Sequence, residues 1–107
     1  MIAESSVLQC GDLVLDQDKC EVHWHNAPVD LTQTELQLLQ YLMERGGKVV
    51  SKQEMSEVVL KRPLEVFDRT LDVHISRIRR KLKAKGAGQL IKTVRGFGFM
   101  LEGKHGA

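Results

Sequence analysis

The apolar positions of this chain change their period twice, and each change marks a different kind of element. From Val7 to Leu31, short apolar runs are cut by turn residues: VLQC, then Gly11 and Asp12, then LVL, DQDK, CEVHW, Asn26 and PVDL. Runs of this length and punctuation predict three or four antiparallel strands. In the third, Cys20, Val22 and Trp24 alternate with Glu21, His23 and His25, the period of two that buries one strand face and wets the other. Leu13 and Leu15, then Val29 and Leu31, alternate in the same way. A small meander with one buried face is expected.

The period then lengthens. Thr32 and Glu35 have the spacing of a capping box, in which each side chain satisfies a backbone N–H at the other end of a helix's first turn. Leu36, Leu39, Leu42 and Met43, with Leu38 beside them, form the stripe of that helix, and Gly46 and Gly47 end it. Val49 and Val50 read as a brief extended link. Ser51 and Glu54 repeat the capping spacing, and Met55, Val58 and Val59 supply the apolar side of a second, shorter helix. It stops at Lys61-Arg62-Pro63, because proline lacks an N–H and drives its predecessor from the α region. A loop runs to about Val66.

The stretch from Phe67 to Lys85, FDRTLDVHISRIRRKLKAK, predicts a third helix. Leu71, Ile75, Ile78 and Leu82 fall on one narrow face. Arg69, Val73, Arg77 and Arg80 fall together on the opposite one. Asp68 near its start and Lys/Arg near its end suit the helix dipole. Gly86 and Gly88 stop it, and LIKTV, RGFG and FMLE then predict a terminal two-stranded hairpin with Arg95 at its tip.

Composition narrows the class. One domain fits 107 residues, with residues 1–6 a linker remnant or ragged end, 7–102 the folded unit and 103–107 a tail. The shares of 42% hydrophobic and 28% charged residues are those of a soluble globular protein. There is no apolar run long enough to span a membrane and no signal-like start, so a cytoplasmic chain is expected. Cys10 and Cys20 read as reduced, partly buried thiols. Between Arg69 and Lys85, seven basic residues face the single acid Asp72, so this segment carries +6 of a chain total of +2 and the remainder is net −4. A pI of 8.6 alone would not argue for nucleic acid; segregation of charge onto one element does.

Two helices joined by a turn, the second with a basic outer face, followed by a hairpin with an arginine at its tip, predict an α+β winged helix-turn-helix. It would have an N-terminal four-stranded antiparallel sheet, three helices and a C-terminal β-hairpin wing. A helix fits the major groove, while the hairpin can put an arginine into the adjacent minor groove. Val73 among arginines would let its methyls meet a thymine methyl; an isolated exposed valine without a role fits the pattern as well.

The run DRTLDVHISRIRRKL, the TVRGFGF of the hairpin and the LTQTELQLLQYL of the first helix together resemble the DNA-binding effector domain of OmpR/PhoB-type bacterial response regulators. The resemblance covers about Leu8 to Leu101, and VFDRTLDVHIS is most similar to the CpxR-type envelope-stress regulators. It implies base contacts from Val73 and Arg77. It further implies backbone contacts from Arg69, Thr70 and His74, with Ser76 and Arg79 as further candidates, and a wing in which Thr93 meets backbone and Arg95 reaches the minor groove. The loop from Leu60 to Val66, with Lys61, Arg62 and Glu65, matches the segment such proteins present to RNA polymerase, although its Lys-Arg-Pro departs from the commoner pattern. The resemblance also implies direct-repeat DNA as the target, and a receiver domain and a sensor kinase in the intact protein. This chain is too short to hold a receiver as well, and is expected to be an effector domain largely monomeric off DNA.

Other chemistries fit less well. His23-x-His25 lacks a third and fourth metal ligand, and a wet strand surface explains the pair. Arg95-Gly-Phe-Gly-Phe precedes a strand and lacks the rest of a dinucleotide fingerprint. Trp24, Phe97 and Phe99 are expected to pack in the core or hairpin, and His74 fits a phosphate contact or a plain surface histidine. No nucleophile–base set, paired carboxylates or HExxH motif appears, so neither catalysis, a cofactor, a metal nor a small-molecule substrate is expected. Two alternatives remain: a protein-interaction module using the basic helix on an acidic partner, and the effector of a membrane-tethered transcription activator.

Overall fold

The computed structural model describes residues 7–63, 69–88 and 90–102. Strands β1 (Val7–Cys10), β2 (Leu13–Asp16), β3 (Glu21–Trp24) and β4 (Ala27–Val29) form an antiparallel meander in chain order. Their register sets Leu8 opposite Leu15, Leu15 opposite Val22 and Val22 opposite Val29, so one apolar row crosses all four strands. Leu15, Val22 and Val29 are buried in it. The Asp16 carboxylate accepts from the amides of Asp18 and Lys19 at 3.0 and 3.1 Å, which fixes the DQDK turn.

The third strand is shorter than its alternation predicts. Cys20, at φ 56°, lies in the preceding turn, while His25 and Asn26, at φ 50° and 68°, form the left-handed pair of the next. His25 is therefore off the strand face assigned to it beside His23, and is bonded instead to Asp12 through backbone (3.3 Å) and side chain (3.2 Å). The two thiols also differ. Cys10 is buried, which pushes its pKa up, whereas Cys20 is exposed and donates to the Gln17 carbonyl at 3.7 Å.

Helix α1 (Gln33–Glu44) starts at the expected capping box: Glu35 N–H donates to Thr32 Oγ1 at 3.2 Å, and Thr32 N–H to Glu35 Oε1 at 3.0 Å. Glu35 is 1% exposed and accepts a further bond from Lys81 Nζ at 2.6 Å. Burial works to raise its pKa, but the Lys81 and Thr32 contacts outweigh it and hold the carboxyl below the ordinary glutamate value.

Next come β5 (Val50–Ser51) and α2 (Lys52–Val58). The second capping box is only half made, with Ser51 Oγ accepting from Glu54 N–H at 3.0 Å. The Glu54 carboxylate turns instead to the Tyr41 hydroxyl and to Arg45 Nη2 at 3.0 Å, tying the end of α1 to α2. Met55 is buried as expected, but Val58 is 46% exposed, so α2 presents a narrower apolar side than predicted. Buried Ser56 donates its hydroxyl to the Arg62 carbonyl at 2.9 Å and thereby folds the start of the following loop back onto α2.

Helix α3 (Thr70–Ala84) places Leu71, Ile75, Ile78 and Leu82 in the core, each no more than 1% exposed, packed against α1. It ends in a Schellman turn: Gly86, at φ +91°, bonds back to the Lys83 carbonyl at 2.9 Å, and Ala87 to that of Leu82 at 2.9 Å. The hairpin follows as β6 (Ile91–Val94) and β7 (Gly98–Leu101). It is not a free two-stranded unit. β5, predicted as a mere link, pairs with β7 to give a three-stranded sheet of order β5-β7-β6. Among the described residues, no helix is long and apolar enough to cross a membrane.

Candidate nucleic-acid interface

The outer face of α3 follows from its inner one. Because the four core residues hold the helix to α1, Arg69, Val73, Arg77 and Arg80 are turned outward, and all four are exposed. Val73 is 43% exposed, an apolar side chain held in solvent among cations. Ser76 is exposed as well, and Thr70 is half-buried in the first turn. His74 is half-buried, with Nδ1 enclosed and without a hydrogen-bond partner among the described residues, so a phosphate contact would have to use its other nitrogen.

Not every cation of the segment serves this face. Lys81 points back to buried Glu35, and Arg79 is turned to the hairpin: its Nε donates to the Ile91 carbonyl at 3.0 Å and its Nη2 to Thr93 Oγ1 at 2.6 Å. Charge counting could not separate these two from Arg77 and Arg80; the helical angle sets Arg79 off the outward face but does not reveal its acceptors on another element. Lys52, at the start of α2, pairs with Asp72 in the first turn of α3 at 3.2 Å and stands 5.7 Å from the centre of the Phe99 ring. Sequence reasoning did not single out Lys52; its only signal is its position directly after the Ser51 cap.

The hairpin tip is closed by backbone hydrogen bonds. Phe97 N–H donates to the Val94 carbonyl at 3.0 Å, and the Phe97 carbonyl accepts from Lys52 N–H at 3.2 Å, with Gly96 between at φ +76°. Arg95 is exposed at this tip, and Thr93 is exposed two residues before it. Phe99 packs in the core as expected, whereas Phe97 is 55% exposed and Trp24 only half-buried. The three-residue turn lifts Phe97 out of the sheet whose interior holds Phe99. Lys61 and Arg62 are exposed beyond α2, Lys61 at φ +62°, and Glu65 lies outside the described residues, as do Phe67 and Asp68.

An exposed cationic helix face beside a hairpin with an exposed arginine is an arrangement suited to a polyanion with two adjacent grooves. Residues 26–101 match the family model described as "Transcriptional regulatory protein, C terminal". The chain is 39% identical over 98 residues to the phosphate regulon transcriptional regulatory protein PhoB of Rhizobium meliloti, across 92% of this chain and 43% of that protein. It therefore spans less than half the length of this curated relative. The crystal structure of the DNA-binding domain of CpxR from E. coli superposes with a TM-score of 0.82 at 36% identity, covering 92% of this chain and 98% of that one. That of the Klebsiella pneumoniae RstA DNA-binding domain in complex with the RstA box superposes with a TM-score of 0.81 at 26% identity, covering 89% and 95%.

Proposed function

Because the chain belongs to the family of transcriptional regulatory C-terminal domains, the OmpR/PhoB-type effectors, we propose that it binds double-stranded DNA sequence-specifically as the effector of a two-component response regulator. The observation that carries this reading is the exposure of Arg69, Val73, Arg77 and Arg80 on the one face of α3 that packing leaves free, beside exposed Arg95 of the wing. Helix α3 enters the major groove, with Val73 and Arg77 toward base edges. Arg69, Thr70, His74, Ser76 and Thr93 meet the backbone, and Arg95 enters the neighbouring minor groove. The domain acts by binding rather than catalysis, in the bacterial cytoplasm, on direct repeats. Lys61 and Arg62, with Glu65, are offered to RNA polymerase, and a receiver domain and its sensor kinase govern the intact protein.

Base and backbone roles separate by mutation. On a site selected from a random DNA pool, Arg77→Ala should cost about 1–3 kcal/mol and relax preference at one base position. Arg69→Ala should weaken all sequences alike and flatten the salt dependence by about one unit. If both variants bind the selected site as the parent does, α3 is not the reading helix. Binding that stays flat as salt rises would instead favour an acidic protein partner for the same face.

A further inference from the structure

We propose that Arg79 is a strut that fixes the wing against the recognition helix, so that correct spacing between the two grooves depends on it. The inference rests on the DNA-binding reading above. Arg79 lies two positions after Arg77, roughly 200° around the helix and away from its outward direction. Its guanidinium meets the wing three times: Nε to the Ile91 carbonyl at 3.0 Å, Nη2 to Thr93 Oγ1 at 2.6 Å, and the Phe99 ring centre at 5.7 Å. Thr93 and Phe99 face each other in the β6–β7 register, so two of the three contacts fall on one rung of the hairpin and the third lies at the start of β6.

This is a use of arginine that lysine cannot copy. A planar fork can hold two acceptors at a fixed angle while its face lies near a ring; an ammonium is a point donor on a flexible stem. The neighbouring groups explain why the fork is held by neutral acceptors. The cleft between α3 and β6 is lined by Lys83 and Lys92 as well as Arg79, and Lys92 is paired with Glu102 at 2.8 Å. Arg79 has no acidic partner among the described residues, and the wing's carbonyl and hydroxyl satisfy it instead.

The mechanical consequence lies at the tip. Arg95 is two residues beyond Thr93, in the turn that follows β6, and a hairpin that pivots at its base carries Arg95 with it. The other strand of the sheet is attached through β5, which is only two residues long, and through Lys52, whose Nζ reaches Asp72 at 3.2 Å. Beyond the apolar packing of Ile91, Arg79 is thus a polar link from β6 to α3, as Lys52 is from the start of α2 to α3. It is a positioning residue acting through Arg95.

Arg79→Lys tests this, since it keeps the charge that a phosphate contact would need and loses the fork. In the free protein, amide exchange at Lys92, Val94 and Met100 should accelerate about tenfold while amides of α1 and the core of α3 keep their rates. Thr93→Val, which removes the acceptor and leaves the arginine, should speed the same amides. On the selected site, Arg95→Ala should cost about tenfold in the parent and no more than about twofold in the Arg79→Lys background. Unchanged wing exchange, or equal Arg95→Ala penalties in both backgrounds, would overturn the strut and leave Arg79 as a phosphate contact. A parent without salt-dependent DNA binding would refute the functional reading and the groove-coupling consequence with it, while the exchange rates would still decide the strut.

Discussion

Glu35 shows how much one side chain can carry. It closes the capping box of α1 and accepts from Lys81 at 2.6 Å while almost wholly removed from water, so it joins the start of α1 to the last turns of α3. Because its folded pKa is lowered, its contribution is fully present above the unfolded glutamate value of about 4.3 and drains away as pH falls through the lower folded value. Glu35→Gln keeps an acceptor for the Thr32 amide but loses the ion pair. We expect a loss of about 2–3 kcal/mol at pH 7 by urea unfolding, below the range for a wholly buried pair because Lys81 remains partly solvated. The gap between parent and variant should narrow steadily as pH is lowered below the unfolded glutamate value of about 4.3. A gap that does not narrow there would show that the ion pair is not its source.

At the scale of elements, local periodicity was a reliable guide and long-range pairing was not. The four core positions of α3, the Thr32–Glu35 box and the glycine stop of α1 are set by residues within a turn or two of each other, and each stands where its spacing puts it. β5 is different: two residues cannot declare a strand, and it exists because β7 offers it a partner. The residue that permits this is Gly98. A Cβ there would stand 1.9 Å from the Val50 carbonyl oxygen, closer than any tolerated contact, so the two strands can approach only across a bare Cα. Gly98→Ala should therefore cost about 1–3 kcal/mol and detach β5, seen as new exchange at Val50 and Lys52. Gly96→Ala meets no atom within 4 Å and pays only for its φ of +76°, about 1 kcal/mol. Equal costs for the two would mean that the β5–β7 approach is not tight. The same locality explains why Val58 and Phe97 turned outward unannounced: whether an apolar side chain is covered depends on what another element leaves open.

For the whole molecule, the segregation of charge was legible as a count but not as a surface. Seven basic residues of the third helix segment make it +6, yet Lys81 is tied to Glu35, Arg79 to the wing, and exposed Lys83 and Lys85 lie at the helix end beside other elements, so the outward set on the helix face is Arg69, Arg77 and Arg80, with Arg95 added by the hairpin. None of these four has an acidic partner among the described residues, whereas Lys52 and Lys92 are paired with Asp72 and Glu102. Four arginines docking here release the counterions condensed on the polyanion, and no ion pair among the described residues has to be broken first. Counting each cation brought onto the polyanion, in a groove or on the backbone, as the equivalent of one neutralised phosphate at about −0.9 in the slope of log affinity against log salt, the four predict a slope near −3.6. Raising salt from about 50 to 200 mM should then weaken binding on the order of 10²-fold. A titration of the selected duplex across that range measures it. If all seven cations of the segment and Arg95 took part, the slope would approach about −7, and a value that steep would mean that the Lys81 and Arg79 contacts open on DNA. A slope near −3.6 means that the scaffold keeps both while the face is read.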